Sequence, residues 1–114
     1  MNLEELRQYC NNKPYTTETM PFGPDVLVYK VQEKIFAITS LNDDICKVSI
    51  KCDPDYALEL RDNHPEIIPG FHLNKKHWNT VSLEGRLNPG LIKELIDHSY
   101  ELVLSKLKSR KIKN

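Results

Sequence analysis

The sequence predicts a single α+β domain of two layers, an antiparallel β-sheet with helices packed on one face and helices near both chain ends. Three observations carry this expectation. Residues 45–52, ICKVSIKC, alternate strictly: Cys46, Val48, Ile50 and Cys52 share one side and Lys47, Ser49 and Lys51 the other, the period-two signature of a strand buried on one face only. Residues 89–108 repeat Ile92, Leu95, Ile96, Ser99, Leu102, Val103 and Leu107 at helical spacing, a stripe that needs an apolar partner. The connections between candidate strands are short, which favours antiparallel pairing over parallel crossovers. At 114 residues, 39% hydrophobic and 28% charged, the chain suits one ordered globular domain.

The elements follow in order. Residues 3–11 form a short helix, with Asn2 as its cap, Glu4 and Glu5 in its first turn and Leu3, Leu6 and Cys10 on one face. The next stretch, NKPYTTETMPFGPD, is expected to be a long turn-rich connection, because its prolines around Phe22-Gly23 oppose regular structure; Phe22 is expected to pin it to the core. Strands are predicted at 26–31 (VLVYKV) and 35–40 (IFAITS), joined by a tight QEK turn, and then at 45–52. Asp53-Pro54 starts a helix running to about Asn63, since Asp caps well and Pro tolerates the first turn. HPEIIPG breaks that pattern. A strand near 78–83 places Val81 and Leu83 inward and Thr80 and Ser82 outward, and EGRLNPG leads into the last helix. Residues 1–108 are thus expected to form the domain, with 109–114 a basic, frayed tail.

Net charge is zero but unevenly spread. Residues 1–70 hold seven Lys/Arg against twelve Asp/Glu, and residues 71–114 hold nine against four. A balanced total therefore hides a basic C-terminal segment. The apolar runs are too short to span a membrane, and charges interrupt the first residues before any signal-like stretch develops. A cytoplasmic monomer with no membrane partner is expected. Three cysteines, an odd and sparse set, fit reduced buried thiols better than a disulfide scaffold.

PFGP at 21–24, KIFAI at 34–38, IKCDPDYALELR at 50–61, HWNTVSL at 77–83 and LIDHSYELV at 95–103, in this order and spacing, resemble the MmcQ/YjbR family over about residues 3–107. The resemblance implies a small bacterial cytoplasmic domain of CyaY-like arrangement and a double-wing DNA-binding role. It implies no catalytic residues. Members often place a proline before the basic residues after the last helix, whereas this chain continues KSRKIKN.

The candidate chemistry is narrow. His64, His72, His77 and His98 show neither mutual nor cysteine spacing that would surround an ion, so no metal or other cofactor is expected. Cys46 and Cys52 belong to the presumed core face, His98 and Ser99 point apart on their helix, and Gly23, Gly70, Gly85 and Gly90 all fall in turns rather than in a phosphate cradle. No catalytic site is predicted and the chain is not expected to be an enzyme. Basic residues are the remaining signal. Lys47 and Lys51 project from the open sheet face; Lys75, Lys76 and His77 precede Trp78, and Arg86 follows in the next turn. These could contact phosphate oxygens, with Asn74 and Asn79 adding hydrogen bonds to bases or sugars. Trp78 itself is expected to be structural. Two partner classes stay open: duplex DNA, bound weakly and without sequence preference, or an unidentified protein.

Overall fold

A computed structural model describes the backbone of residues 1–113 and the side chains of residues 1–107. Its elements are α1 (Leu3–Asn11), β1 (Thr16–Thr19), β2 (Val26–Val31), β3 (Lys34–Ser40), β4 (Lys47–Lys51), α2 (Pro54–Asn63), β5 (Ile67–Pro69), β6 (Trp78–Ser82) and α3 (Pro89–Lys113). The strands form one sheet in the order β1-β2-β3-β4-β6-β5, with every neighbouring pair antiparallel.

Local chemistry explains the boundaries. Asn2 and Glu5 make a reciprocal capping box at the start of α1, which satisfies two orphan backbone donors. Gln32 and Glu33 both take positive φ, 47° and 73°, the geometry that joins two strands of right-handed twist in a tight hairpin. The Asp53 carboxylate accepts from the Asp55 and Tyr56 amides, and Pro54 occupies the first turn of α2.

Val48 and Ile50 of β4 face the helices, as the alternation predicts. They meet Ile92, Leu95, Ile96 and Val103 of α3 in one core with Leu6 of α1 and Ala57 and Leu60 of α2. Phe36 and Ala37, adjacent in sequence, both enter this core. A bulge explains them: the β2–β3 register slips after Tyr29↔Ala37 to Lys30↔Ile35, so two residues of β3 oppose one of β2. Phe36 then packs edge-on against Tyr100, with ring centroids 5.4 Å apart.

The ends of the layers are tied by side chains. Glu18 of β1 accepts from Arg7 (3.0 and 3.3 Å), Asn11 (3.0 Å) and the Tyr29 hydroxyl (2.8 Å), joining α1, β1 and β2. Burial alone would raise the Glu18 pKa, but the hydrogen bonds from Arg7, Tyr29 and Asn11 outweigh it and hold the carboxyl below its ordinary range. On α3, Asp97 pairs with Lys13 and accepts from the Tyr9 hydroxyl at 2.7 Å. Burial, assisted by Asp97, pushes Tyr9 up to about 12.

Three expectations are corrected. The 12–25 connection contains β1, because TTET can pair with β2 as an edge strand without supplying apolar residues. HPEIIPG contains β5, a three-residue edge strand whose Ile67 is buried. Phe22 does not anchor its loop in the core; it is 64% exposed. The proposed basic tail at 109–114 falls where side chains lie outside the described residues, although the backbone of α3 runs to Lys113.

Candidate functional site

The face of the sheet turned away from the helices is less wet than the alternation suggests. Val28 and Thr80 are buried on it, and Phe22 and Phe71 stand over a shallow cleft of about 320 Å³ floored by Val26, Ile38, Ser49 and Thr80. The Ser49 and Thr80 hydroxyls are 2.8 Å apart, and Thr80 Oγ1 also accepts from the Phe71 amide at 3.0 Å. Lys47 and Asp43 both border this cleft.

The eight residues predicted to touch nucleic acid do not form one surface. Lys51 pairs with Trp78 and Lys47 with Ser82 in the β4–β6 register, so the two lysines lie about 13 Å apart along the strand. Asn74, Lys75, Lys76 and His77 precede Trp78 and belong to the Lys51 end; Arg86 follows Ser82 and belongs to the Lys47 end. There the Arg86 amide donates to Glu66, and Glu84 holds the Cys46 amide, so carboxylates dilute the positive charge.

Several of these side chains are already engaged. Asn74 Oδ1 accepts from the Lys76 and His77 amides at 2.9 and 3.2 Å, shaping the turn. Lys75 Nζ donates to the Gly70 carbonyl at 3.0 Å, while Arg61 of α2 donates to the Lys75 carbonyl. Lys76 is exposed and His77 half-buried. Asn79 is a correction: only 1% exposed, it pairs with Ile50 and so points into the helix-covered side. Its Nδ2 donates to Ala57 O, and it cannot reach a base or sugar.

The Lys51 end gains two cations that the sequence did not single out. The β3–β4 ladder has two residue pairs, Ala37↔Ile50 and Ile38↔Ser49. At the next position the buried Ser99 hydroxyl of α3 intervenes. It accepts from the Lys51 amide at 2.8 Å and donates to the Phe36 carbonyl at 2.7 Å. Beyond this wedge opens a cleft of about 440 Å³, walled by Ile35, Trp78, Val103 and Leu107. Lys34, Lys51 and Lys106 line it from β3, β4 and α3, with Glu33 as the one carboxylate among its lining residues.

Gly70 helps to seat the Trp78 backbone. A Cβ at position 70 would come within 2.7 Å of the Trp78 Cβ and 3.0 Å of its carbonyl oxygen, so only glycine permits this approach. Electrostatics follow from the cluster. The Lys51 ammonium is held below its ordinary pKa, first by burial and then by repulsion from Lys106 and Lys34. Among the described residues, no carboxylate forms an ion pair with any of the three. Three lysines that share a cleft with one carboxylate, Glu33, and make no ion pair among the described residues would gain from an external anion.

Other chemistry finds less support. Among the described residues, no three His, Cys, Asp or Glu side chains gather as metal ligands, and no helix is long and apolar enough to cross a membrane. Burial pushes the Cys10 thiol up to about 12 and, with Asp53, the Cys52 thiol to about 11, which keeps both protonated and poorly nucleophilic at neutral pH.

A family model described as YjbR matches residues 11–102. The chain belongs to the YjbR family. It is 35% identical over 113 residues to protein YjbR of Escherichia coli (strain K12), covering 99% of this chain and 96% of that one. It is likewise 35% identical over 107 residues to protein YbdF of Escherichia coli O157:H7, covering 94% and 88%. Among solved structures, the Deinococcus radiodurans protein DR2400 superposes with a TM-score of 0.85 at 42% identity, over 90% of this chain and 78% of that one. A Pseudomonas syringae protein gives 0.80 at 30% identity, over 90% and 99%. Lys34, Lys51 and Trp78 lie inside the span matched by the YjbR model, and Lys106 lies beyond it.

Proposed function

We propose that this YjbR-family chain is a non-catalytic DNA-binding protein, taking the phosphate backbone weakly and without sequence preference at the Lys51 end of the sheet. The observation that supports this most is the convergence of Lys34, Lys51 and Lys106 with no ion-paired carboxylate among the described residues. Exposed Lys76 belongs to the same end. The sequence adds Lys108, Arg110, Lys111 and Lys113 beyond Lys106, with no acidic side chain among them. Lys47 and Arg86 become peripheral, because they lie at the opposite end among carboxylates.

Contacts of this kind give affinity and position but no readout of base identity. The test is a fluorescence-anisotropy titration of labelled duplex DNA at low salt, on wild type, on Lys34→Glu/Lys106→Glu and on Lys47→Glu/Arg86→Glu. The first pair should weaken binding at least about tenfold and the second only slightly. Equal losses would move the site off this end. No binding by wild type at about 100 µM protein, the weak edge of non-specific affinity, would remove the reading.

A second reading has its own observation. Phe22 and Phe71, 64% and 63% exposed, flank the cleft on the open sheet face, and exposed aromatic residues beside Val26 and Ile38 favour docking of a protein segment. It predicts an interaction that Phe22→Ser/Phe71→Ser abolishes and that the lysine reversals leave intact.

A further inference from the structure

Charge alone does not describe the cleft at the Lys51 end. Phosphate contact alone needs only cations on an accessible surface. Here the lysines rim a concavity whose walls are apolar and include the chain's one tryptophan. Its volume of about 440 Å³ lies within the range of small-molecule sites, which are commonly about 300–1,000 Å³. A groove combining cations with an aromatic side chain suits an unpaired nucleotide, whose phosphate meets the cations while its exposed π-face meets the ring. Bases stacked within a duplex cannot offer that face.

We infer that the cleft between Lys34, Lys51, Lys106 and Trp78 accepts one unpaired nucleotide, with its phosphate among the lysines and its base against Trp78, so that the protein favours single-stranded over duplex nucleic acid. This inference rests on the backbone-binding reading above and narrows it. Three features support the assignment of roles. The wedge of Ser99 between Phe36 and Lys51 keeps the strands apart where the cleft opens. Gly70 allows the close approach that sets the Trp78 backbone beside its loop. Val103 and Leu107 place an apolar wall beside the indole, so a base entering there would leave water on more than one side.

The lone tryptophan makes the test direct, because every change in tryptophan emission reports position 78. The wild-type chain is titrated at low salt with oligo-dT of ten nucleotides, with a mixed-sequence duplex, and with adenosine monophosphate, while emission and anisotropy are followed. The expected result is tighter binding of oligo-dT than of duplex by about 5- to 150-fold, the range that one stacked base contributes. Tryptophan quenching should accompany oligo-dT and be absent with duplex. Trp78→Leu should erase the preference while leaving duplex affinity unchanged, and Lys34→Glu/Lys106→Glu should weaken both ligands. Quenching by adenosine monophosphate at millimolar concentration would identify the nucleotide unit as sufficient; quenching by oligo-dT alone would require the continuous strand, and either supports the assignment. Equal affinity for single strand and duplex with unchanged emission overturns the inference and leaves backbone binding standing. Failure of every nucleic acid to bind removes both. If Trp78→Leu fails to fold, wild-type emission alone decides.

Discussion

Ser99→Ala tests the link between the core and the cleft. The Ser99 side chain is fully buried and replaces a rung of the β3–β4 ladder, taking the Lys51 amide and serving the Phe36 carbonyl. The neighbouring geometry shows why these groups need it. The Cys52 amide donates to His77 O across β6, and hydrogen-bonded pairs alternate along an antiparallel ladder. The intervening Lys51 amide therefore points away from β6, towards β3. Phe36 is the extra residue of the bulge, so its carbonyl has left the regular register. Alanine leaves one donor and one acceptor buried, at about 1–3 kcal/mol each, for a total of about 2–6 kcal/mol. At roughly 4 °C per kcal/mol for a domain of this size, the melting point should fall by about 8–24 °C. Urea unfolding followed by far-UV circular dichroism would give the free energy independently. A loss under about 0.5 kcal/mol would refute the wedge, since it would mean that the strands close and bond directly without cost.

Other consequences follow from the same contacts. Glu18 has a lower pKa in the folded chain than its unfolded value, so its contribution is complete above about pH 5 and is lost as pH falls through the folded value; acid melting curves of Glu18→Gln should be flatter than those of wild type in that window. Leu95→Ala removes a side chain only 2% exposed in the core and should cost about 2–5 kcal/mol in chemical unfolding. Asn79 carries a buried Oδ1 with no hydrogen-bond partner among the described residues; Asn79→Leu should therefore cost less than about 1 kcal/mol, whereas Asn79→Asp, which buries an unpaired carboxylate, should cost about 3 kcal/mol at pH 7. Protonation relieves that second cost, so the Asn79→Asp deficit should shrink as pH falls.

Much of the architecture was legible because it is local. Asn2 and Glu5 stand three apart, Asp53 precedes Pro54, and Val48 and Ile50 alternate with lysine and serine; each pattern is written within a few residues. β1 and β5 were not, because TTET has no apolar face and Ile67-Ile68-Pro69 is too short to show a period. The bulge at Phe36-Ala37 left only two adjacent apolar residues, which sequence alone cannot distinguish from a simple run. At the site, Lys47 and Lys51 alternate with Val48 and Ile50, but the length of β4 separates them: Lys47 borders the cleft on the open sheet face, whereas Lys51 shares a cleft with Val103, Lys106 and Leu107 of α3. Lys34 sits beside a hairpin turn and Lys106 on a polar helix turn; nothing local joins them. Their meeting depends on how α3 crosses the sheet and on where β3 parts from β4. An asparagine between tryptophan and threonine looks like a surface residue, yet the strand position of Asn79 faces Ala57.

The central claim is that cations at the Lys51 end meet phosphate, and the salt dependence of binding tests it most directly. For B-DNA the logarithm of the association constant falls with the logarithm of salt at a slope of about −0.9 per phosphate contact. Duplex titrations of wild type and Lys34→Gln/Lys106→Gln should give linear plots, with the variant shallower by about 1.8. The same variant should keep the wild-type melting point to within a few degrees, since neither lysine is ion-paired among the described residues. An unchanged slope in a folded variant, or wild-type binding that does not weaken between about 50 and 200 mM salt, would contradict the assignment of Lys34 and Lys106 to the phosphate backbone.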